Sequence, residues 1–337
     1  MTEPRSFPGL TAAAFQHPLD VAAVRTLAAT PGLQLLAKTV SGAFAERIAN
    51  IEYTGHCVRV GPTQYGDIWR RYITLAERLD VRRIPDLYVK NSGEVNAYSQ
   101  GVDKYYVVIH TGLLQMLEPE EVEVVLAHEL GHVKCDHMKY LTIVNFLRTL
   151  GPALMNLINI PLAPAVLLGA QIGLVQWFQK SELSSDRAAL LATQDVDVVK
   201  SALAKLAGFA PRHCEHLDIA ALERQAADFD DIGADSLFEK ALKVYTLLDL
   251  DHPVPVVRVR EAGLWAASPE YAKILRGDYL TGQRLPIAGP YRVCTQCGEH
   301  QPPAAIFCGH CGTNIRNVPV TAALPPVPPI TPPRSDE

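Results

Sequence analysis

A basic surplus is missing. Lysine and arginine total 31 against 36 acidic residues, giving a net charge of -5 and a pI near 6.1. That balance offers no general attraction to nucleic acid or to an anionic membrane surface. The first 15 residues, MTEPRSFPGLTAAAF, contain no basic start followed by an apolar run, so no secretory signal is expected. Cysteine is scarce, seven in 337 residues, and Cys57, Cys135 and Cys214 are scattered. This usage fits a reducing, cytoplasmic compartment better than a disulfide framework. Charge is also missing from 149–178, and 141–178 holds Arg148 alone. Pro152, Pro161 and Pro164 interrupt that run, so it is not one long helix. Three readings stay open for 141–178. It is a hairpin against the inner face of a membrane, with Lys134, Lys139 and Lys180 on its flanks; a pair of buried helices; or an apolar lid.

What is present is organised around Glu118 to His137, EPEEVEVVLAHELGHVKCDH. Pro119 suits a first helical position, where its missing N–H costs nothing. Glu120, Glu121 and Glu123 favour the positive end of the helix dipole. Val122, Val124, Val125, Leu126 and Leu130 supply apolar surface, so the helix is expected to be buried on most sides. His128 and His132, four residues apart, share one face and can hold one zinc ion. Glu129 can reach a metal-bound water, and Gly131 is expected to leave room beside the metal. The helix is expected to end near His137. On a continued helix His137 lies away from the ligand face, so it is read as second-tier or structural.

Around this helix, 17–50 and 63–81 carry apolar residues at helical spacing. Asp86 to Lys90, Glu94 to Ser99 and Tyr105 to His110 read as strands of a small antiparallel sheet, with Asn91-Ser92-Gly93 as a turn. The middle strand either lines the cleft and pairs with an extended substrate or simply covers the helix. Downstream, Glu182 and Asp186 are one turn apart on an Ala- and Leu-rich helix. Glu182 can complete a two-His, one-carboxylate zinc site that keeps a fourth position for water. Asp186 can fix the tautomer of a ligand histidine from behind.

HELGH at 128–132 followed by SELSSD at 181–186 resembles the gluzincin metallopeptidases. More narrowly it is similar to the family of HtpX-like, CAAX prenyl endopeptidase-like and OMA-like proteases, peptidase family M forty-eight. The NAYSQG segment, Asn96 to Gly101, resembles that family's strand ahead of the zinc helix. His252-Pro253 with Arg258 resembles its late H-P-x-x-x-x-R element. The resemblance covers roughly Ile51 to Ala266 and implies a mostly helical α+β zincin fold. It also implies a zinc endopeptidase in which Asn96, Ala97 and Tyr98 bind substrate, His252 helps at the oxyanion and Arg258 ties down Asp186.

Near the C-terminus Cys294, Cys297, Cys308 and Cys311 form two C-x-x-C knuckles ten residues apart. This pattern reads as a zinc ribbon with a second, structural zinc. The expected organisation is a helical lead-in over 1–50, a peptidase domain over 51–285, the ribbon over 286–317 and a disordered proline-rich tail over 318–337. Ribbon and tail are candidate docking sites for a protein partner, and nucleic acid is not an expected one. The expected function is zinc-dependent endopeptidase cleavage of unfolded or flexible protein segments in quality control. The competing readings are a ribbon binding module on a zincin scaffold, and a membrane-associated chaperone-like factor.

Overall fold

In the computed structural model the chain is described over residues 4–28, 43–102, 104–144, 164–210, 213, 217–232, 236, 254–281, 291–293, 300–301, 303 and 315–321. Two compact units partition it, Met1–Thr281 and Gly282–Glu337.

The first unit begins with α1 (Pro18–Ala28), α2 (Ala43–His56), β1 (Cys57–Arg59) and α3 (Gly66–Arg78). Ile68, Tyr72, Leu75 and Ala76 form the buried stripe of α3. Then come β2 (Asp86–Lys90), β3 (Ala97–Gln100) and β4 (Tyr106–His110). The sheet order is β1-β2-β4-β3, and β2 runs parallel to β4 while the other pairings are antiparallel. The expected antiparallel sheet is therefore mixed, and β1 is an unforeseen member. The physical reason lies in β4, whose five residues are all buried. A strand apolar on both faces belongs in the middle of a sheet. β3 alternates buried and half-buried residues and takes the edge. The 91–96 segment is accordingly no hairpin turn. Its Ser92 carbonyl accepts from Thr111 Oγ1 at 2.9 Å and from the Gly112 amide at 2.8 Å, past the end of β4.

Beyond the sheet lie α4 (Thr111–Met116), α5 (Pro119–Lys134), α6 (Pro164–Thr193), α7 (Val196–Leu206), α8 (Ile219–Asp231), α9 (Pro255–Ala266) and α10 (Pro269–Leu275). α5 opens with Pro119 and a capping box between Glu118 and Glu121. The Glu121 carboxylate also accepts from Lys205 Nζ at 2.6 Å and Ser201 Oγ at 2.7 Å, which pins the helix start to α7. α5 stops at Lys134, three residues short of the expected His137. Asp136 adopts a positive φ of 59°, which turns the chain out of the helix.

α6 is a single 30-residue helix that joins the second half of the apolar run to the SELSSD segment. Residues 138–144 are helical too. Met138, Leu141, Ile143 and Val144 pack with Leu174, Trp177 and Phe178 of α6 and with Leu27 of α1. The described flanks of the run thus form a small protein core, while 145–163 lies outside the described residues. No helix among the described residues is long and apolar enough to cross a membrane.

α5 and α6 cross closely at Gly131. A Cβ there would sit 2.7 Å from Ala188 Cβ and 2.9 Å from Ser185 Cα. The glycine therefore admits the backbone of α6 rather than clearing space at the metal, as the sequence suggested. Gly131→Ala should push α6 outward at a cost of about 1–3 kcal/mol. Because α6 carries Glu182, zinc affinity should fall with it. Thermal melts and zinc titration that both match the parent would sink this account.

In the second unit, β5 (Tyr291–Val293), β6 (His300–Gln301) and β7 (Val320–Thr321) form an antiparallel sheet in the order β6-β5-β7. Arg292 donates to the carbonyls of Pro303 at 2.7 Å and Arg316 at 2.9 Å. The cysteines at 294, 297, 308 and 311, residue His252 and the tail beyond 321 lie outside the described residues.

Candidate metal centre

His128, His132 and Glu182 converge, with one donor atom from each lying within 4.8 Å of the others. His128 Nε2 is 3.2 Å from His132 Nε2 and 3.5 Å from Glu182 Oε2, and His132 Nε2 is 3.1 Å from Glu182 Oε1. Tetrahedral zinc with bonds of about 2.0–2.1 Å places neighbouring donors about 3.3 Å apart. The spacing fits such an ion.

The charges fit as well. Glu129, Glu182 and Asp186 are all at most 4% exposed, and among the described residues Arg258 is the arginine or lysine buried with them. Three carboxylates against one guanidinium leave two negative charges, which a divalent cation balances. Arg258 forks onto Asp186, with Nε donating to Oδ2 and Nη2 to Oδ1, both at 2.7 Å. Its Nη1 lies 2.9 Å from Glu182 Oε2. Burial opposes ionisation of Asp186, yet Arg258 holds its pKa below the ordinary carboxylate value.

Hydrogen bonds set the ring orientations from behind. His128 Nδ1 faces Asp186 Oδ1 at 2.9 Å. A carboxylate only accepts, so Nδ1 carries the proton and a neutral ring presents a bare Nε2 inward. His132 Nδ1 faces His137 Nδ1 at 3.0 Å. Burial pulls His132 down to about 4. Burial also opposes protonation of His128, but Glu182 and Asp186 overcome it and raise that group to about 9. Without metal, His128 carries a second proton, on Nε2, and zinc must displace it. The binding form is the deprotonated one, so apparent zinc affinity should rise about tenfold per pH unit between about pH 6 and 8 and level off above about 9. Calorimetry in buffers of different ionisation enthalpy should read about one proton released per zinc at this site. Uptake independent of pH would contradict it.

Residues 62–266 match the model of Peptidase family M48. The chain belongs to this family. It is a zinc-dependent metallopeptidase, a hydrolase. It is 38% identical over 275 residues to the plastoglobule-localized metallopeptidase 48, chloroplastic, of Arabidopsis thaliana, covering 81% of this chain and 78% of that one. Protease HtpX homolog 1 of Streptomyces coelicolor is 29% identical over 187 residues, 49% of this chain and 60% of that one. An HtpX homolog of Acaryochloris marina is 36% identical over 107 residues, 31% and 36% of the two chains. No solved structure matches the chain. The expected cytoplasmic location at the inner face of a membrane finds no support in these relatives, the first of which is named for chloroplast plastoglobules.

The peptidase brings together most of the residues singled out in its sequence. His128, Glu129, Asp186 and Arg258 line one cleft with Asn96 and Ala97. Leu113, Val124, Val125, Leu203 and Leu206 make its apolar wall. Tyr98 does not join them. Strand residues alternate faces, and Tyr98 points to the far side of the sheet, against Tyr53 and His110. Two contributors, Ser99 and Asp20, escaped the sequence reading, and a third, His137, reads there as second-tier or structural. Ser99, buried on β3, donates from Oγ to Glu129 Oε2; the period-two alternation from Ala97 could have found it. His137 is no ligand, but it lies against His132 because the chain turns at Asp136. Asp20 accepts from His137 Nε2 at 3.0 Å across 117 residues, a contact without local signal.

Proposed function

We propose that this zinc peptidase is an endopeptidase for unfolded or flexible protein segments, working in protein quality control. The observation that carries the reading is the position of β3. It forms one edge of the sheet, and its Ala97 and Ser99 face Glu129 beside the three converging donors. An extended peptide can lie along that strand, with Asn96 and Ala97 on its path. A folded domain offers no unpaired strand.

His128, His132 and Glu182 would hold a zinc ion, which would supply a Lewis acid and acidify the attacking water. Glu129 takes the proton from the attacking water and passes it to the leaving amine. Ser99 holds one oxygen of Glu129 and so sets the direction of the carboxylate. Asp186 orients His128, and Arg258 keeps Asp186 ionised and holds Glu182 in place. His252 is assigned the oxyanion contact on the family resemblance. The four cysteines at 294, 297, 308 and 311 are assigned a second, structural zinc, with ribbon or tail as a docking point for a protein partner.

The test is cleavage of casein by the purified full chain. Removing metal with a chelator should abolish cleavage, and added zinc should restore it. A compact folded protein should resist under the same conditions. Equal rates on folded and unfolded substrates would overturn the edge-strand reading.

A further inference from the structure

The N-terminal segment reaches the back of the metal centre. Asp20 lies on α1, outside the 62–266 span of the family match, and is fully buried. Its Oδ2 accepts from Ser184 Oγ at 2.6 Å, Gln16 Nε2 at 2.9 Å and His137 Nε2 at 3.0 Å. His137, 1% exposed, in turn faces the Nδ1 of His132. The backbone around Asp20 is fixed as well. The His17 amide donates to Ser184 Oγ at 3.0 Å, and Arg187 Nη1 donates to the Phe15 carbonyl at 3.1 Å. Both partners stand on α6, the helix that carries Glu182.

We propose that Asp20 is a positioning residue for the metal, fixing the tautomer of His132 through His137. The proton logic runs one way. Asp20 is an acceptor only, so His137 Nε2 carries a proton. A His132 that ligates through Nε2 carries its proton on Nδ1 and donates it to His137 Nδ1, which is therefore bare. His132 is left with its Nε2 lone pair facing Glu182 and His128. Reversing the first bond reverses the chain. A donor at the Asp20 position moves the proton of His137 to Nδ1 and that of His132 to Nε2, where it points at the metal position. Burial opposes the charge on Asp20, but His137 and Ser184 hold its pKa near about 2, so the carboxylate stays an acceptor at neutral pH. The consequence is that the peptidase domain matched by the family is not the whole metal centre. Asp20, 42 residues before the start of that match by numbering (62 − 20), completes the support of one ligand.

The proposal rests on His132 being a zinc ligand, and the test separates the two. Zinc dissociation constants are measured on full-length chains by chelator competition, beside His132→Ala. Asp20→Asn, which can present an amide donor to His137, should weaken zinc binding at the centre by about 10–100-fold. With His137→Gln already in place, Asp20→Asn should weaken it no further. Ser184→Ala loosens the docking of α1 but keeps the Asp20–His137 bond, so it should lower the unfolding temperature and leave zinc affinity within about twofold. Asp20→Asn with parental zinc affinity, while His132→Ala loses the metal, would overturn the proposal alone. So would equal zinc losses in Asp20→Asn and Ser184→Ala, which would mark Asp20 as part of the docking only. An unaltered zinc site in His132→Ala would overturn it together with the ligand assignment.

Discussion

Glu129→Gln should lower turnover on an unfolded protein by about 10²–10⁴-fold while the centre keeps its zinc. The substitution preserves the shape of the side chain, and its amide oxygen can still accept from Ser99 Oγ. What it removes is the basic oxygen that the proposed mechanism uses to take a proton from water and return it to the amine. Glu129 is not among the three converging donors, so metal retention should change little. Glu182→Ala should behave oppositely, losing zinc and activity together. Turnover and zinc content measured on the same preparations distinguish the two. Glu129→Gln with near-parental turnover would remove Glu129 from the mechanism; Glu129→Gln without zinc would make it a ligand.

Arg258→Leu should be the most destabilising single change at the site. The guanidinium is 3% exposed and contacts both Asp186 and Glu182. Leucine leaves two buried carboxylates without their counter-charge, a loss of about 3–5 kcal/mol. For a domain of this size that corresponds to a fall in melting temperature on the order of 10 °C. The fall should be larger in the zinc-free protein, where the single charge of a protonated His128 stands in for the two of a divalent cation. Arg258→Lys should recover little of it, because a point charge cannot fork onto Asp186 while also reaching Glu182. Calorimetric melts with and without zinc read these differences. A loss below about 1 kcal/mol in the zinc-free form would mean that the carboxylates take up protons and need no cation.

The chemistry-bearing residues were legible because they obey local geometry. His128 and His132, and Glu182 and Asp186, are pairs one helical turn apart, and helix periodicity places each pair on one face wherever the helix packs. Pro119 and Glu121 marked the start of α5 for the same reason, since caps are read over a few residues. The strands were legible as strands, but not their order. The alternating apolar pattern names faces and leaves neighbours open. β4 inserted itself between β2 and β3 because it is buried on both sides. Gly131 was legible as a special position, yet only the crossing of α6 showed what it makes room for.

The sequence by itself determined the three donors that converge and the neighbouring carboxylate, because helical spacing and donor chemistry are properties of short segments. Tertiary structure alone decided what holds them. The left-handed turn at Asp136 swung His137 against His132. The packing of α1 on α6 carried Asp20 to His137. The edge position of β3 set Ser99 on Glu129. Each is a contact between segments far apart in the chain, fixed by which surfaces bury one another, and no period along the sequence encodes it.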